Sequence, residues 1–505
     1  MNKNRNNSFR LAVAHSKYIS KKSRYKLQFM ALKKFFFYPT TKKLNLNRHN
    51  KSYFLGRFRT VHFDDSHLYR DLSFKNDFMT PRQSVLFSPR GYIYFTTQVF
   101  ELVRKLVNLD ENFIDEKSNL NFSTRYVKVY YAGYLNFKNK NIENCATYNY
   151  SYNKFKNEIS RFKNNKVLKI DIQDFFLGIT IKRLDDILTS LMKHYHSTCF
   201  SKEKLNIIDF LNHSGYMTLP QSQGSLACSI LSQIYLIEMT NCLNELCKKY
   251  DVEMVRYVDD MFIKIPDSLP SKKINELINS ISTLLWRYGL SLNSKKIKLF
   301  GASEFIEEVQ YSPDVSFSPR NFVQQKYIDD KIDDLLKNDG EKLLDFVERV
   351  SQLFIDNGND MSKYHQIVHE TFSINEDNEN KVQNALIYGD RWHALSNEKK
   401  KEFLKSKNLC LLTFDPDKYV PFVLKLQTNL CAYGIVDKYI IKEFFINESY
   451  SVRDGLIKSK YYVQLEESKR KIPSLISENI INTSKKYNYF KDYYLFILKF
   501  IIKND

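Results

Sequence analysis

Adjacent aspartates are the residues with the clearest potential for chemistry, and one pair stands out by its surroundings. Asp259-Asp260 lies between two strand-like runs, Val252–Tyr257 and Met261–Ile265, which the intervening Val-Asp-Asp joins as a tight hairpin. We therefore expect two carboxylates at the tip of a turn, near the edge of a sheet, where they can reach a substrate or a cation. Other Asp-Asp pairs occur at 64–65, 185–186, 329–330 and 333–334.

The segment Tyr327-Ile-Asp-Asp330 repeats the tetrapeptide pattern and is an internal control. Ile328, Ile332 and Leu335 recur at helical spacing, which predicts an amphipathic helix. The acidic residues of this segment then belong to a solvated helix face. A strand context, and not the tetrapeptide alone, distinguishes Asp259-Asp260 as a candidate site.

Asp171 is the third carboxylate of interest, because it follows the strand-like run 166–170. Strands that end in carboxylates can converge, and close carboxylates repel each other unless a cation neutralises them. Mg²⁺ is the expected cation, since it prefers oxygen ligands and keeps substrate phosphates in its shell. Two such ions about 4 Å apart activate a 3′-hydroxyl and stabilise a leaving pyrophosphate. The alternative interpretation is that Asp171 caps the segment that follows it.

At this point the chain resembles the reverse transcriptases over roughly residues 170 to 300. The resemblance rests on four segments in the same order as the family's motifs. They are Asp171-Ile-Gln-Asp-Phe-Phe176; Leu219-Pro-Gln221 with Gly224-Ser225 and the run 229–236; Tyr257-Val-Asp-Asp260; and Leu290-Ser-Leu-Asn-Ser-Lys-Lys296.

The resemblance implies a role for each matching residue. Asp171, Asp259 and Asp260 would be catalytic and hold two Mg²⁺ ions, with Ile172 beside them in the metal and nucleotide sites. Lys296 would lie near the incoming triphosphate and Gln221 beside the nucleotide. The family usually has Leu-Pro-Gln-Gly, whereas Ser222 and Gln223 intervene here before Gly224. The identity of the glutamine beside the nucleotide therefore stays open between positions 221 and 223.

Phe176 stands where the family places an aromatic ring against the sugar of the nucleotide. A ring there collides with a 2′-hydroxyl but not with hydrogen, so the resemblance implies a preference for deoxynucleotides. Phe175 and Phe176 cannot both face the substrate. We expect Phe175 in the core and Phe176 at the sugar; the alternative is that Phe176 is itself a core aromatic residue.

The charge distribution indicates a polyanionic partner. The net charge is +20, and the first 60 residues contain sixteen Lys or Arg and no acidic residue. Nucleic acid is the usual partner of such a chain. Aromatic residues interleave with the basic ones, which suits an arm that binds phosphates and stacks on bases. It equally suits a segment that folds against the rest of the protein.

Three regions are predicted: a basic arm with the start of the fingers over 1–80, fingers and palm over 81–320, and a helical domain over 321–505. Within the second region we predict helices over 182–194, 225–250 and 271–288, and strands over 290–293 and 295–300. The fold class is an α+β fingers–palm domain followed by an all-α domain that resembles helical repeats.

The seven cysteines lack zinc-site spacing, which favours a reduced, cytoplasmic protein. No signal peptide is recognised, and the apolar run 494–502 is too short to span a bilayer. We expect that run to form a buried helix and expect no membrane partner.

The long helical C-terminus after the palm resembles bacterial abortive-infection and defence-associated reverse transcriptases, the AbiK-like group. This resemblance implies a homo-oligomer that polymerises dNTPs into DNA in antiphage defence. Some relatives need no external template and start on a protein tyrosine, whereas others use a non-coding RNA. Two alternatives stay open: a retron-type or group II intron-type enzyme that copies a dedicated RNA, and a non-catalytic scaffold that binds nucleic acid.

Overall fold

The computed structural model describes residues 7–21, 26–37, 67–74, 81–116, 119–137, 149–222, 224–305, 319–372, 379–389, 391–431, 434–446, 451–467, 470, 474–486 and 488–501. The chain divides into two compact units. Unit 1 comprises Met1–Tyr69 and Ser84–Gln310, and unit 2 comprises Arg70–Gln83 and Tyr311–Asp505. The contacts thus group the basic N-terminal region with the palm, and they divide the chain near residue 310. Gln223 and the Asp64-Asp65 pair lie outside the described residues.

The strands are β1 (Leu68–Arg70), β2 (Ser73–Phe74), β3 (Pro81–Arg82), β4 (Val85–Phe87), β5 (Val127–Tyr130), β6 (Lys166–Gln173), β7 (Glu253–Tyr257), β8 (Asp260–Ile265), β9 (Ser291–Leu292) and β10 (Lys298–Phe300). The helices of unit 1 are α1 (Asn7–Ser20), α2 (Leu27–Phe37), α3 (Pro89–Leu109), α4 (Asn149–Ile159), α5 (Phe175–Gly178), α6 (Ile181–His194), α7 (Ser201–His213), α8 (Leu226–Tyr235), α9 (Ile237–Tyr250) and α10 (Ser271–Arg287).

Among the residues that the structure describes, the regular elements of unit 2 are helices apart from the short pair β2–β3. Its helices are α11 (Pro319–Asn357), α12 (Met361–Phe372), α13 (Glu379–Tyr388), α14 (Asn397–Phe403), α15 (Leu411–Phe414), α16 (Pro416–Asn429), α17 (Ile435–Ile440), α18 (Val452–Glu467), α19 (Ser474–Lys486) and α20 (Asn488–Phe500). This content agrees with the predicted all-α domain, and its resemblance to helical repeats stays a prediction.

The main sheet of unit 1 has the strand order β10-β6-β8-β7-β5, and β9 pairs with the far end of β6. All of these pairs are antiparallel except β5–β7. Leu168, Ile170 and Ile172 alternate along β6 and are buried in the main core, whereas Val167 is buried in a smaller cluster. This alternation fixes the register of the central strand, because a shift by one residue would turn the three side chains to the opposite face.

Helices α3, α6, α8 and α10 supply much of the core against this sheet. In α10 the buried residues Ile274, Leu277 and Ile281 recur every three to four residues, as the predicted amphipathic helix requires. α3 begins at a Ser88 cap, whose hydroxyl accepts the Gly91 amide at 3.0 Å. These helices cover the sheet in which β7 and β8 are interior strands.

The described part of the basic N-terminal region folds into unit 1. Phe9, Leu11, Ala12 and Ile19 of α1 are buried in the same core as α3. The folded alternative is therefore correct for α1 and α2. Residues 38–66, which carry much of the remaining basic charge, lie outside the described residues.

The prediction of one long helix over residues 225–250 is wrong. α8 and α9 meet at Leu236 with a bend of 55°. The Leu236 amide donates to the Gln233 carbonyl instead of continuing the α-helical pattern. The buried Arg256 bonds to Gln233 on one side of the bend and to Thr240 on the other. The strand predicted over 295–300 is shorter than expected, since Ser294–Lys296 form a 3-10 turn before β10.

The control segment Tyr327-Ile-Asp-Asp330 lies in a helix, as predicted. Ile328, Ile332 and Leu335 are buried, whereas Asp330 is exposed. The predicted helix near the end of the chain is also confirmed: α20 buries Tyr494, Phe496 and Ile497. Among the described residues, no single helix is long and apolar enough to cross a membrane, although the bent pair α8–α9 together reaches that length and composition.

Candidate active site

The central feature of the site is a pair of carboxylates on neighbouring strands. Asp171 of β6 lies directly opposite Asp260, the first residue of β8. Directly opposed residues have Cβ atoms about 4.5–5.5 Å apart, and like charges in such a position destabilise a sheet. Asp171 is also buried, with only 4% of its surface exposed. The strands therefore hold two acids together at a place where water compensates their charge poorly.

The turn between β7 and β8 adds Asp259 to this pair. The Ile172 amide donates to the Asp259 carbonyl at 3.2 Å, and the Val258 amide donates to the Tyr130 carbonyl at 3.1 Å. Val258 has a φ of +53°, which a β-branched residue rarely adopts. Backbone strain of this kind persists where the surroundings hold it, often at functional sites.

The electrostatics of Asp259 and Asp260 indicate that negative charge outweighs positive charge at this site. Burial, with the nearby Asp260 and Asp171, raises the pKa of Asp259 to about 7. Burial and Asp171 also raise the pKa of Asp260, which Lys169 and Lys296 partly oppose. Such carboxyl groups either take up protons or attract a cation.

The donor chemistry of this cluster fits a hard divalent cation such as Mg²⁺, because all three side chains offer oxygen. Within the described ranges, no group of three or more His, Cys, Asp or Glu side chains is arranged to hold a metal ion. Lys296, which is 59% exposed, supplies a positive charge at Asp171, with its Nζ 3.2 Å from Oδ1. Ile172 has a buried, apolar side chain, so only its backbone can contribute to the site.

Asn293 is a site residue to which the sequence analysis gave no role. Its amide donates to the Asp171 carbonyl at 2.8 Å, and its side-chain Nδ2 donates to the Asp171 carboxylate at 3.2 Å. β9 and the turn after it thereby hold both Asn293 and Lys296 against Asp171. The sequence contained a signal for this role, because Asn293 lies inside the segment Leu290–Lys296 that resembles a family motif.

The two phenylalanines after Asp171 differ in burial. Phe175 is 3% exposed and belongs to the core, as expected, whereas Phe176 is half-buried. Their rings meet edge to face, with centroids 5.3 Å apart. Asp174, with a φ of +43°, turns the chain sharply before α5. The proposed contact of Phe176 with the sugar stays a prediction.

The loop before α8 is anchored through its backbone. Gln221 is exposed, and its carbonyl accepts the Val85 amide at 2.8 Å. The Gly224 carbonyl accepts the Tyr92 hydroxyl at 2.8 Å and lies 3.3 Å from Nε2 of the buried His15. Gly224 has a φ of +75°, and a Cβ there would meet the Phe29 ring at 2.7 Å. The N-terminal helices thus fix the loop on which the candidate nucleotide-side glutamines lie.

Residues 121–317 match the family model described as "Reverse transcriptase (RNA-dependent DNA polymerase)". No curated protein matches the chain. Among solved structures it is similar to telomerase from Candida albicans, in a complex with a TWJ fragment of telomeric RNA. The identity is 14% over 81% of this chain, with a TM-score of 0.26, and the match spans 58% of the telomerase chain. On the family match, residues 121–317 form a reverse transcriptase domain, and the strand-held aspartates lie within it.

Proposed function

We propose that this protein adds deoxynucleotides to a growing DNA strand by phosphoryl transfer at Asp171, Asp259 and Asp260. The observation that carries the proposal is the pairing of Asp171 with Asp260 across β6 and β8, next to Asp259 in the turn. The three acids come from two distant parts of the sequence, and Asp259 is near enough to Asp171 and Asp260 for both to raise its pKa. The raised pKa values of Asp259 and Asp260 support a site that is completed by cations.

The three aspartates and the backbone at Ile172 would hold two Mg²⁺ ions. When bound, these ions supply activation of the 3′-hydroxyl and stabilisation of the leaving pyrophosphate. Asn293 orients the Asp171 carboxylate through the hydrogen bond from Nδ2. Lys296 is exposed enough to turn from Asp171 towards a triphosphate, where its ammonium group would bind a phosphate oxygen.

Phe176 would select the sugar. Its neighbour Phe175 is committed to the core, which leaves Phe176 as the half-buried ring beside the site. A ring against C2′ leaves room for hydrogen and excludes a hydroxyl group. Gln221 would lie beside the nucleotide on a loop that is anchored to Val85 and Tyr92.

We further propose a role in antiphage defence, as a cytoplasmic homo-oligomer. The support is the resemblance of the palm segments and of the long helical C-terminus to abortive-infection reverse transcriptases. Synthesis would be primed by a protein tyrosine without an external template, or guided by a non-coding RNA. Copying of a dedicated RNA, as in retrons or group II introns, is the competing mode.

The testing experiment incubates the purified full chain with Mg²⁺ and labelled dNTPs in three arms: no template, a primed RNA template, and RNA that copurifies with the protein. Incorporation in at least one arm is expected, and the productive arm identifies the mode. Absence of incorporation in all three arms would contradict the polymerase proposal and favour a nucleic-acid-binding scaffold.

A further inference from the structure

Arg256, immediately before the Tyr257–Asp260 turn, is a fully buried cation. None of its surface is exposed. Burial lowers its pKa to about 9, so the guanidinium group is still charged at neutral pH. Charged side chains are rarely buried to this degree, because removal of the charge from water is unfavourable unless other groups compensate it. A residue that only filled the core would be better replaced by an apolar one.

The guanidinium group bonds to neutral acceptors on three elements. Nη1 donates to the Val258 carbonyl at 2.8 Å and to Oε1 of Gln233 at 2.9 Å. Nη2 donates to Oγ1 of Thr240 at 3.1 Å. Nε is buried and has no hydrogen-bond partner. The planar fork of an arginine can reach three acceptors in fixed directions, which a lysine ammonium on a flexible chain cannot reproduce.

These acceptors flank the bend between α8 and α9. Gln233 precedes the bend at Leu236, and Thr240 follows it, with both its amide and its hydroxyl bonded to the Leu236 carbonyl. α8 is capped by Ser225, directly after the loop that holds Gln221. Arg256 therefore connects the helix that follows the nucleotide-side loop with the turn that carries Asp259 and Asp260.

The turn needs such support because of the conformation of Val258. Its φ of +53° is disfavoured for a β-branched residue. The Tyr130 carbonyl holds the Val258 amide and Arg256 holds the Val258 carbonyl, so the peptide units on both sides are fixed. Without the guanidinium group the Val258 carbonyl would lose this donor. The turn would then be held only by its other bonds and by the Tyr257–Asp260 pair, and Asp259 would be less firmly fixed relative to Asp171.

We infer that Arg256 is a positioning residue, which fixes the Val258 turn against the α8–α9 bend and so sets the distance between Asp259 and Asp171. The inference rests on the proposed function of these aspartates. Because Arg256 is fully buried, it would act through the backbone of the turn.

The test uses the full-length Arg256→Lys variant, which keeps the positive charge and loses the planar guanidinium group. Displacement of a catalytic group by about 1 Å lowers kcat by on the order of 10²-fold, and the dNTP KM is expected to change less than about threefold. Amide hydrogen exchange of peptides over 255–261 is expected to be at least about tenfold faster. The matched control is Leu277→Ala in α10, which creates a cavity in the main hydrophobic core away from the turn. At an equal loss of Tm, the Leu277→Ala variant should have the wild-type kcat and the wild-type rate of amide hydrogen exchange in the hairpin.

Two results would overturn the inference. One is an Arg256→Lys variant with kcat within twofold of wild type and unchanged hairpin exchange; the other is an equal loss of kcat in Leu277→Ala at the same Tm. If Arg256→Lys does not fold, Thr240→Val removes the Nη2 acceptor together with the hydroxyl bond to the Leu236 carbonyl, keeps the other two bonds of Arg256, and should produce a smaller change in the same direction. Wild-type protein that incorporates no nucleotide would refute the proposed function, whereas hydrogen exchange would still decide the role of Arg256.

Discussion

Asp171 and Asp260 face each other on one rung of an antiparallel sheet, with Asp171 almost completely buried. Two like charges in this position destabilise the protein on their own. Lys296 approaches Asp171 from the exposed side, but the pKa values of Asp259 and Asp260 stay raised. An unfavourable arrangement of this kind is expected where the carboxylates have a function, and Asp259 is the first residue to test.

Replacement of Asp259 by Asn should abolish nucleotide incorporation. The change removes one cation ligand at nearly constant side-chain volume, and a loss on the order of 10³-fold in kcat is expected. The measurement is incorporation of labelled dNTPs. Asp330→Asn is the matched control, because it alters the same tetrapeptide pattern on the exposed face of α11. Equal activities of the two variants would rule out Asp259 as a catalytic residue.

The same substitution should stabilise the cation-free protein at alkaline pH. The pKa of Asp259 is raised from 3.8 to about 7 in the folded state, so folding takes up a proton between these values. The contribution to stability is fully present below pH 3.8 and is lost as the pH rises through 7. Asp259→Asn removes this loss of stability, because the amide does not ionise. At pH 8 without divalent cations we expect the variant to have a Tm roughly 2–4 °C above wild type, which corresponds to about 1 kcal/mol. Thermal unfolding at pH 5 and pH 8 measures it; a variant no more stable than wild type at pH 8 contradicts it.

Phe176→Ala should admit ribonucleotides. Loss of the ring opens space for a 2′-hydroxyl, and a rise of about 10- to 100-fold in the ratio of rNTP to dNTP incorporation is expected. Competition between labelled rNTPs and dNTPs measures the ratio. Phe175→Leu is the control, because Phe175 is a core residue and its change should lower stability without altering the ratio. An unchanged dNTP preference in Phe176→Ala would mean that another residue selects the sugar.

Tyr92→Phe should weaken nucleotide binding without a comparable loss of stability. It removes the hydroxyl that donates to the Gly224 carbonyl and so loosens the loop that carries Gln221. A net hydrogen bond contributes about 1 kcal/mol, so we expect a rise in dNTP KM of about three- to tenfold. Tyr195→Phe is the control, since its hydroxyl bonds to Asp110, away from that loop. An equal rise of KM in both variants would show that the effect is not specific to the loop.

The product should remain attached to the protein if a tyrosine primes synthesis. Labelled DNA would then migrate with the protein after denaturation and be released by protease. The control adds an excess of unlabelled oligonucleotide after the reaction and before denaturation, which should not release attached label. DNA that separates from the protein on denaturation alone would instead support a nucleic-acid primer.

Local sequence patterns predicted much of the fold around the site. The β7–β8 hairpin, α6, α10 and the helix around Asp330 follow from apolar periodicity, which burial imposes directly on neighbouring residues. The bend at Leu236 could not be predicted in this way. Residues 225–250 have a continuous helical pattern, and the bend coincides with bonds from Arg256, a residue of another element.

From sequence alone, Asp171, Asp259 and Asp260 can be nominated for the proposed chemistry, in an order and strand context that the copy at Tyr327–Asp330 lacks. Only the tertiary structure decided how they are held. The register that sets Asp171 against Asp260, the bonds of Asn293 to Asp171 and the buried fork of Arg256 join residues far apart in the chain. Periodicity reports which face of an element is buried, whereas a contact between elements depends on how their faces pack together, and this geometry exists only in the folded chain.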